Sequence, residues 1–592
     1  MEFLHRGPSY VSPCQLHILS ESQLTMDQIL TKQMAPLRRE LTRFFTKYPV
    51  DLSRRMNFEK EIQNLFHASF DQSIPSTLEE RILYEKQLIK SIRYQLNKDQ
   101  LILRRTVDNY NTYYLGSLNE FQKKSDDFVQ HSISYEFIGM LDCINTEQQQ
   151  LDEIIDSINS QFETLHQKRL INNDYRTKFI ISKKSTTKLP HLYFLPETNE
   201  DIEMTVQPKF SSYQYSPIQK LAQYLDELLR PLFNNLSVST RFLNTDDFIY
   251  KLRYFAIKLD SLLPKTQFVT FKIHDLYDNV THAGLLQALY TFLAHPLVST
   301  RHKRLSNDAI HELTAIVLRN NFFSYDDKIY RFTKGCPLNL QLTDLLGDIY
   351  LYDWQFPLVR QLRLNDLFYG RYHNIGLMTW YGPIEQLQTI LDELEQLLPS
   401  GAQLTSFIAT TVHFMDCLID NRRGNLFTNV YHDSTVQPFL LPYIPDHARL
   451  SHRKWFRYIF IHAFHYCCSF EDFEDERIYI DAIFLANGYS LDFVEYHWRQ
   501  FLKRFNFKLL SRIMARKRER EEENLLETNQ KMIQLHYLFD WGSRCEFNEK
   551  FQRLWLTILN EDLIFKQYGL KIQLNSKHCY SSNILLARSI TY

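Results

Sequence analysis

Two groups of residues have the types and the spacing to do chemistry, and the first is a possible metal site. His462, His465, Cys467 and Cys468 carry imidazole and thiol groups, and histidines three residues apart can share one face of a helix. A structural zinc site takes four ligands, commonly as two spaced pairs, and no second pair follows at such a spacing. The neighbours from 455 to 466 are largely aromatic and aliphatic. We therefore expect these four residues to pack in a core, and we predict no metal there.

The second group is basic and lies between residues 499 and 518. Lysine and arginine bind phosphate oxygens through charge-assisted hydrogen bonds, so this group is a candidate nucleic-acid surface. Its members are Arg499, Lys503, Arg504, Arg512, Arg516, Lys517 and Arg518. Glutamates follow at once, at 519 and 521–523, and pairing between residues four apart on a helix would neutralise the same arginines. Both interpretations stay open. Binding through this group would be weak, salt-sensitive and tolerant of sequence.

Three further blocks lie between Thr266 and Trp380. They read Gln267-Phe-Val-Thr-Phe-Lys-Ile-His-Asp-Leu-Tyr277, Arg331-Phe-Thr-Lys-Gly-Cys-Pro-Leu-Asn339 and Tyr369-Gly-Arg-Tyr-His-Asn-Ile-Gly-Leu-Met-Thr-Trp380. Together they resemble the palm of a reverse transcriptase of the Penelope-like group, in which the blocks run roughly F-D-V-x-x-L-Y, R-G-x-x-M-G and G-R-Y-x-D-D-x-x-x-x-W. The resemblance implies a right-hand polymerase fold in which three aspartates hold two Mg²⁺ ions.

The three aspartates implied by the resemblance are replaced in this chain. Lys272 stands at the first position, and Asn374 and Ile375 stand at the position of the aspartate pair. A two-metal centre needs converging carboxylates, and a lysine about 4 Å from a divalent ion costs roughly 8 kcal/mol at an effective dielectric of 20. Asp275 is an odd number of residues from Lys272, so on a continuing strand it would face the other side. We predict no cofactor and no polymerase activity; Lys272 either turns to solvent or meets a nucleic-acid phosphate.

The resemblance extends upstream to a fingers region. The segments Leu189–Pro196 and Tyr224–Phe233 match the family's patterns L-P-K-x-H-K and R-P-L. The family has basic residues there that would hold a triphosphate, whereas this chain has Glu197, Asn199 and Gln207. Glutamine and asparagine replace charge-assisted phosphate bonds poorly. The nucleotide site is therefore expected to be degraded together with the metal site.

Composition limits the class of protein. A chain of 592 residues predicts three or four packed units, and its formal net charge of -1 provides no overall basic field. Only 14 glycines beside 35 tyrosines and 43 phenylalanines favour helices and aromatic cores. The eight cysteines show no regular framework, which is typical of a reducing compartment. No uncharged apolar run reaches about 18 residues. We expect an intracellular protein, nuclear or cytoplasmic, with no membrane partner.

These observations predict a helix-rich α+β fold with a right-hand polymerase-like palm and fingers between two helical regions. We expect an irregular N-terminus at 1–25, a helical N-terminal region at 26–180 and a reverse-transcriptase-like fingers and palm at 185–450. A helix-turn-helix-like domain should follow at 452–505, and a basic and acidic helix with a C-terminal tail at 506–592. The role of the N-terminal region and the docking of the tail are left open by the sequence.

Two local structures are predicted in the second half of the chain. Asn and Gly tolerate left-handed turn conformations, so the segment 420–424 should close a hairpin between the runs 411–416 and 425–432. In the helix-turn-helix-like domain, Asn487 and Gly488 should end one helix and Ser490 should cap the next. The exposed side of that next helix is expected to carry His497, Arg499, Lys503 and Arg504.

Three classes of function remain for a polymerase scaffold without its metals. The leading prediction is a non-catalytic, retroelement-derived pseudoenzyme that binds RNA or DNA through its helical C-terminal region. The alternatives are a protein-interaction scaffold with no nucleic-acid role, and a decayed retroelement copy. An active RNA-directed DNA polymerase with a displaced site is the least favoured, because no nearby acid replaces the lost aspartates.

Overall fold

The computed structural model describes residues 26–70, 76–107, 113–141, 147–182, 187–198, 204–299, 305–335, 340–432, 449–505, 532–538, 544–559 and 571–577, together with positions 4 and 337. The helices within these ranges are α1 Met26–Lys47, α2 Leu52–Phe70, α3 Ser76–Lys98, α4 Leu118–His131, α5 Glu147–Gln167, α6 Asn173–Phe179, α7 Gln219–Ser237, α8 Thr245–Arg253, α9 Leu276–Asn279, α10 His282–Ala294, α11 Pro296–Ser299, α12 Asn307–Arg319, α13 Gln341–Trp354, α14 Phe356–Leu364, α15 Ile384–Gln396, α16 Arg449–Tyr466, α17 Phe470–Ala486, α18 Leu491–Phe505 and α19 Arg544–Leu554. The strands are β1 Leu101–Arg105, β2 Tyr113–Ser117, β3 Tyr135–Met140, β4 His191–Thr198, β5 Met204–Ser211, β6 Gln267–His274, β7 Phe322–Tyr325, β8 Lys328–Phe332, β9 Tyr369–Tyr372, β10 Ile375–Trp380, β11 Gln403–Ala409, β12 Thr411–Phe414, β13 Cys417–Arg422, β14 Asn425–Val430, β15 Met532–Leu538 and β16 Lys571–Lys577.

The chain divides into two compact units. The first contains residues 1–121, 196–205 and 433–592, and the second contains 122–195 and 206–432. The second unit therefore holds all three sequence blocks, and the first holds both ends of the chain. No described helix combines the length and the apolar character needed to cross a membrane.

The palm sheet of the second unit is built, within the described ranges, from four antiparallel strands in the order β11-β6-β10-β9. Side chains alternate between the two faces of a strand, and Val269, Phe271 and Ile273 of β6 are buried in one core with residues of α13, α14 and α15. The opposite face carries Lys272. Gly376 is required by close packing, because a Cβ atom there would lie 2.1 Å from the ring of its cross-strand partner Phe271.

A second sheet in the described ranges has the order β3-β8-β7-β4-β5. Its core is aromatic: the ring of Phe323 lies 5.0 Å from Tyr135, 5.1 Å from Phe210 and 5.2 Å from Phe332, measured between centroids. Strand β3 comes from the region that was expected to be helical, as do β1 and β2. Each of these strands has only five or six residues, too few for a period-two pattern to stand out beside long amphipathic helices.

The hairpin predicted at 420–424 is confirmed, but its first strand differs. Strand β14 pairs with β13 rather than with the run from 411, because a further turn at Met415, which has a positive φ of 50°, reverses the chain first. Strand β12 then pairs with β13. Arg423 and Gly424 occupy the predicted turn with φ of 57° and 92°, in agreement with the tolerance of glycine for the left-handed region.

The first unit contains a core built from N-terminal and C-terminal segments of the chain. Helices α1 and α2 pack with β15, α19 and β16, and the two strands are parallel neighbours. Phe58 on α2 lies at the centre, with its ring 5.7 Å from Phe551 and 5.4 Å from Trp555. Glu40 on α1 also bonds to the imidazole of His536 on β15 at 3.2 Å. The described part of the C-terminal tail is thus folded onto the N-terminal helices.

Because the core is shared, a cavity made in α2 should also destabilise β15 and β16 of the C-terminal tail. Phe58→Ala is expected to destabilise the first unit by about 3–5 kcal/mol, because it removes a fully buried aromatic ring. Met56→Ala is the matched control on the same helix, since Met56 is 63% exposed, and should change stability by no more than about 0.5 kcal/mol. Hydrogen exchange by mass spectrometry should show peptides of α1, α2, β15 and β16 losing protection together. Loss confined to α1 and α2 would contradict a single core.

The helices α16, α17 and α18 form the region expected to resemble a helix-turn-helix. The rings of Phe456 and Phe484 stack at 3.6 Å, and Trp498 lies 5.1 Å from Phe460. The predicted boundary is confirmed: α17 ends at Ala486, Gly488 has a φ of 85°, and the Ser490 hydroxyl accepts a hydrogen bond from the N–H of Phe493 at 3.3 Å.

Candidate functional site

Strand pairing brings the three substituted positions together. Lys272 on β6 is the direct cross-strand partner of Ile375 on β10. Asn374 precedes Ile375, and its side-chain amide donates to the carbonyl oxygen of Ile273 at 2.8 Å. The backbone N–H of Ile273 in turn donates to the carbonyl of Asn374 at 2.9 Å. The first and third blocks therefore lie on adjacent strands, and the three positions that the resemblance aligns with aspartates lie together at this point of the sheet.

The groups at this point do not suit a metal ion. An ammonium, an amide already used as a donor and an aliphatic side chain replace three carboxylates, and Mg²⁺ prefers oxygen ligands with negative charge. Asp275 comes after the last residue of β6 and has a φ of 53°, so it leaves the strand instead of continuing along it. Among the described residues, no group of three or more His, Cys, Asp or Glu is placed to hold a metal ion.

Lys272 belongs to an open surface that we term the palm face. Cross-strand partners share a face, so the register places Lys272 beside Thr405 and Ile375, Ile375 beside Tyr372, and Thr270 beside Phe407. The palm face is defined by Thr270, Lys272, His274, Tyr372, Ile375, Thr405 and Phe407. Lys272 is exposed, and within the described ranges its ammonium makes no hydrogen bond or ion pair.

A buried charge network lies on the opposite side of the sheet and supports the β9–β10 turn. Arg371 is 1% exposed and Asp348, on α13, is fully buried. The guanidinium Nη1 of Arg371 is 2.9 Å from Asp348 Oδ1, and Arg241 Nη2 is 2.8 Å from Asp348 Oδ2. Arg371 also donates to the side-chain oxygen of Gln355 at 3.0 Å and to the backbone carbonyl of His373 in the turn. This network holds the segment that carries Asn374.

Sequence reasoning missed the network. In the sequence, Arg371 is recognisable only as part of the third block, and no pattern marks Asp348 or Arg241 as its partners. Charged residues are rarely buried unless paired, and the three partners are scattered over 131 residues, so no local pattern marks them. Burial, followed by the charge of Asp348, raises the pKa of the nearby Tyr277 hydroxyl well above its ordinary value.

The second block acts as a structural turn. Gly335 has a φ of 71°, and a Cβ atom there would lie 2.5 Å from the carbonyl oxygen of Tyr277. Its N–H donates to the carbonyl of Val280 at 2.7 Å, which joins the second block to the segment after the first. In the fingers, Glu197 lies on β4 and Gln207 on β5, while Asn199 lies outside the described residues.

The structure describes the predicted basic group in part. Arg499 is exposed and pairs with Glu495 on its own helix, with 2.6 Å between Nη2 and Oε2. Lys503 is exposed. Arg504 lies in the last turn of the same helix, but its side chain is outside the described residues. Arg512, Arg516, Lys517 and Arg518 lie outside the described residues entirely. The described residues therefore do not test whether the seven basic side chains form one surface.

One residue predicted to lie on the exposed side of α18 does not. His497 is half-buried, and its ring stacks on Phe456 at 5.0 Å and meets Phe493 at 4.5 Å. Its position is set by packing against α16, which a helical pattern on α18 does not show. The possible metal cluster is likewise packed: the ring of His462 is 3.8 Å from that of Tyr466, and Cys467 is fully buried.

Comparisons with known proteins bear on the domain and on the fold. Residues 439–499 match the family model of the animal helix-turn-helix domain. A search of curated proteins found no match. Among solved structures, the chain is similar to telomerase from Candida albicans in complex with a TWJ fragment of telomeric RNA, with 11% identity over 84% of this chain and 78% of that chain and a TM-score of 0.47. Apo telomerase from Candida tropicalis shows 10% identity over 85% and 90% of the two chains, with a TM-score of 0.41. The RNA-dependent RNA polymerase of a human picobirnavirus shows 10% identity over 75% and 87%, with a TM-score of 0.40.

With identities and TM-scores this low, the fold is assigned from the chain's own strand order and register. Strand β6 lies between β10 and β11, the β9–β10 hairpin carries the third block, and α13, α14 and α15 pack on the face that carries Val269, Phe271 and Ile273. The chain has a helix-rich α+β fold with a reverse-transcriptase-like palm, and it carries a helix-turn-helix domain in its C-terminal third.

Proposed function

We propose that this protein is a degenerate reverse-transcriptase-like protein of Penelope-like descent, without polymerase activity, that binds nucleic acid as a non-catalytic partner. The observation that carries the proposal is the register of Lys272 opposite Ile375, with Asn374 bonded to the neighbouring strand. The scaffold that would position three carboxylates is intact, and the carboxylates are replaced. The positive charge of Lys272 takes the place of the metal's charge without its ability to polarise a phosphoryl oxygen.

The apolar and basic members of the palm blocks support Penelope-like descent. Trp380, which ends the third block, is 5% exposed, and Arg371 of the same block is held by Asp348 and Gln355. Such residues persist because the fold depends on them. The substituted positions are on or next to the exposed palm face. An aspartate there would be needed for metal binding but not for folding, so its replacement leaves the fold intact.

The absence of polymerase activity is tested by primer extension. The full chain is expected to incorporate no nucleotide on an RNA template with a DNA primer, with either Mg²⁺ or Mn²⁺, because no carboxylate occupies the three positions. An active reverse transcriptase serves as the assay control. Incorporation that is lost in the Asp275→Asn or Asp278→Asn variant would show a displaced metal site and contradict the proposal.

Nucleic-acid binding is the second part of the proposal and has its own readout. Fluorescence anisotropy of labelled oligonucleotides should show weak binding that falls with salt, because phosphate contacts release counterions. No binding of single-stranded or duplex RNA or DNA at low salt would instead favour the protein-interaction scaffold.

A further inference from the structure

We propose that the palm face is a stacking platform for unpaired RNA, on which Phe407 receives a base, Lys272 contacts the adjacent phosphate, and Thr270 and Thr405 face the ribose. This inference rests on the proposed function, because it names the kind of nucleic acid and the surface that would hold it. The surface belongs to the second unit, whereas the basic group at 499–518 belongs to the first.

The exposure of Phe407 is the first observation. Its side chain is 56% exposed on a sheet surface, whereas large aromatic residues elsewhere in this sheet, such as Phe268 and Phe271, are buried. An exposed aromatic ring on a sheet surface is a group on which a nucleic-acid base can stack. Stacking of one base on such a ring contributes about 1–3 kcal/mol and does not depend strongly on which base it is.

The arrangement around Phe407 is the second observation. Phe407 is opposite Thr270, and Lys272 is opposite Thr405, two residues along each strand. Diagonal neighbours on one face lie roughly 7–8 Å apart, which is within the reach of a lysine side chain. A base stacked on Phe407 therefore leaves its own backbone close to the Lys272 ammonium.

The charge of the palm face favours an anionic ligand and disfavours a protein partner with a positively charged surface. Of its seven residues, one is a lysine, one is a histidine and none is acidic. The nearest acid along β6, Asp275, lies beyond the end of the strand. The Lys272 ammonium and the Thr270 hydroxyl have no hydrogen-bond partner within the described ranges, so both are available to a ligand.

The hydroxyl groups favour RNA, and the aromatic ring favours an unpaired strand. Thr405 Oγ1 is bonded to His274 Nε2 at 2.8 Å and can still contact a ribose, while Thr270 contributes a second hydroxyl beside the ring. The 2′-hydroxyl is the group by which proteins distinguish RNA from DNA at a site. A base in a duplex is already stacked on its neighbours and is not free to lie on Phe407.

The experiment uses the full chain and fluorescence anisotropy with three probes of equal length: oligo(rU), oligo(dT) and an RNA duplex. Phe407→Leu keeps an apolar side chain but removes the ring, and it should weaken oligo(rU) binding by about 5- to 150-fold. Lys272→Gln should reduce the slope of log affinity against log salt by about 0.7, the value for one phosphate on a single strand. Ser406→Ala, next to Phe407 but on the other face of β11, is the matched control and should bind as the wild type. Unchanged melting temperatures establish that the exposed-residue variants are folded.

The outcomes separate this inference from the function on which it rests. If oligo(rU) binds and Phe407→Leu binds it equally well, the platform is wrong while nucleic-acid binding stands. Loss of binding in Arg516→Glu/Lys517→Glu/Arg518→Glu, with none in Phe407→Leu, would place the contact at the basic group instead. Equal affinity for oligo(dT), or tighter binding of the duplex, would overturn the assignment to unpaired RNA. Absence of binding to every probe would overturn both the inference and the nucleic-acid part of the proposed function.

Discussion

The variant Lys272→Asp/Asn374→Asp/Ile375→Asp is expected to bind Mn²⁺, whereas the wild type is expected to bind none at this site. Lys272 and Ile375 are direct cross-strand partners, and Asn374 is the next residue along the chain, so three new carboxylates would lie around one point of the sheet. At about 4 Å and an effective dielectric of 20, exchanging a cation for an anion changes the interaction with a divalent ion from roughly +8 to roughly -8 kcal/mol.

Free Mn²⁺ measured by electron paramagnetic resonance during a titration gives the stoichiometry directly. The Lys272→Ala variant is the control, because it removes the repulsion without adding a ligand, and it should bind no more metal than the wild type. Hydrogen exchange over β6 and β10 establishes that the sheet is retained. A folded triple variant with no bound Mn²⁺ would mean that the three positions do not converge on one ion, and that their assignment as former metal positions is wrong.

Arg371→Met is expected to destabilise the second unit by about 3–5 kcal/mol, because it leaves the charge of Asp348 buried with one partner fewer. The matched control is Arg331→Met. Arg331 also pairs with a carboxylate, that of Glu136, but the two side chains are 38% and 46% exposed, against 1% and 0% for Arg371 and Asp348. An exposed pair contributes roughly 0–1 kcal/mol, so the control should change little.

Hydrogen exchange of peptides covering β9, β10 and α13 in increasing urea locates the effect. A second variant, Arg371→Met/Asp348→Leu/Arg241→Met, removes all three buried charges of the network. It should recover part of the lost stability, since apolar replacements of a whole set of buried paired charges are often tolerated. Equal losses for Arg371→Met and Arg331→Met would contradict the argument from burial. If hydrogen exchange in the turn at His373 is the same in Arg371→Met as in the wild type, the network does not support the position of Asn374.

The sequence by itself determined the local structures whose causes are local. The helix with Leu151, Ile154, Ile155, Ile158, Phe162 and Leu165 on one side buries those same six residues, because a period near 3.6 selects one helix face. Alternation along a strand likewise places Val269, Phe271 and Ile273 of β6 together on one face, and these three residues pack in one core. Glycine and serine marked the boundary between α17 and α18, since their effects act over a few residues.

Only the tertiary structure decided the features that depend on distant partners. The docking of β15 and β16 on α1 and α2 joins segments separated by more than 460 residues, and each segment taken alone shows no more than moderate apolarity. His497 was misplaced because its environment is provided by Phe456 on another helix. The burial of Arg371 and the exposure of Phe407 follow from which elements cover each face of the palm sheet, and a strand pattern states only that the two faces differ. The residue types thus determine the chemistry available on each face of the sheet. Contacts between elements distant in sequence determine which face stays exposed to a ligand.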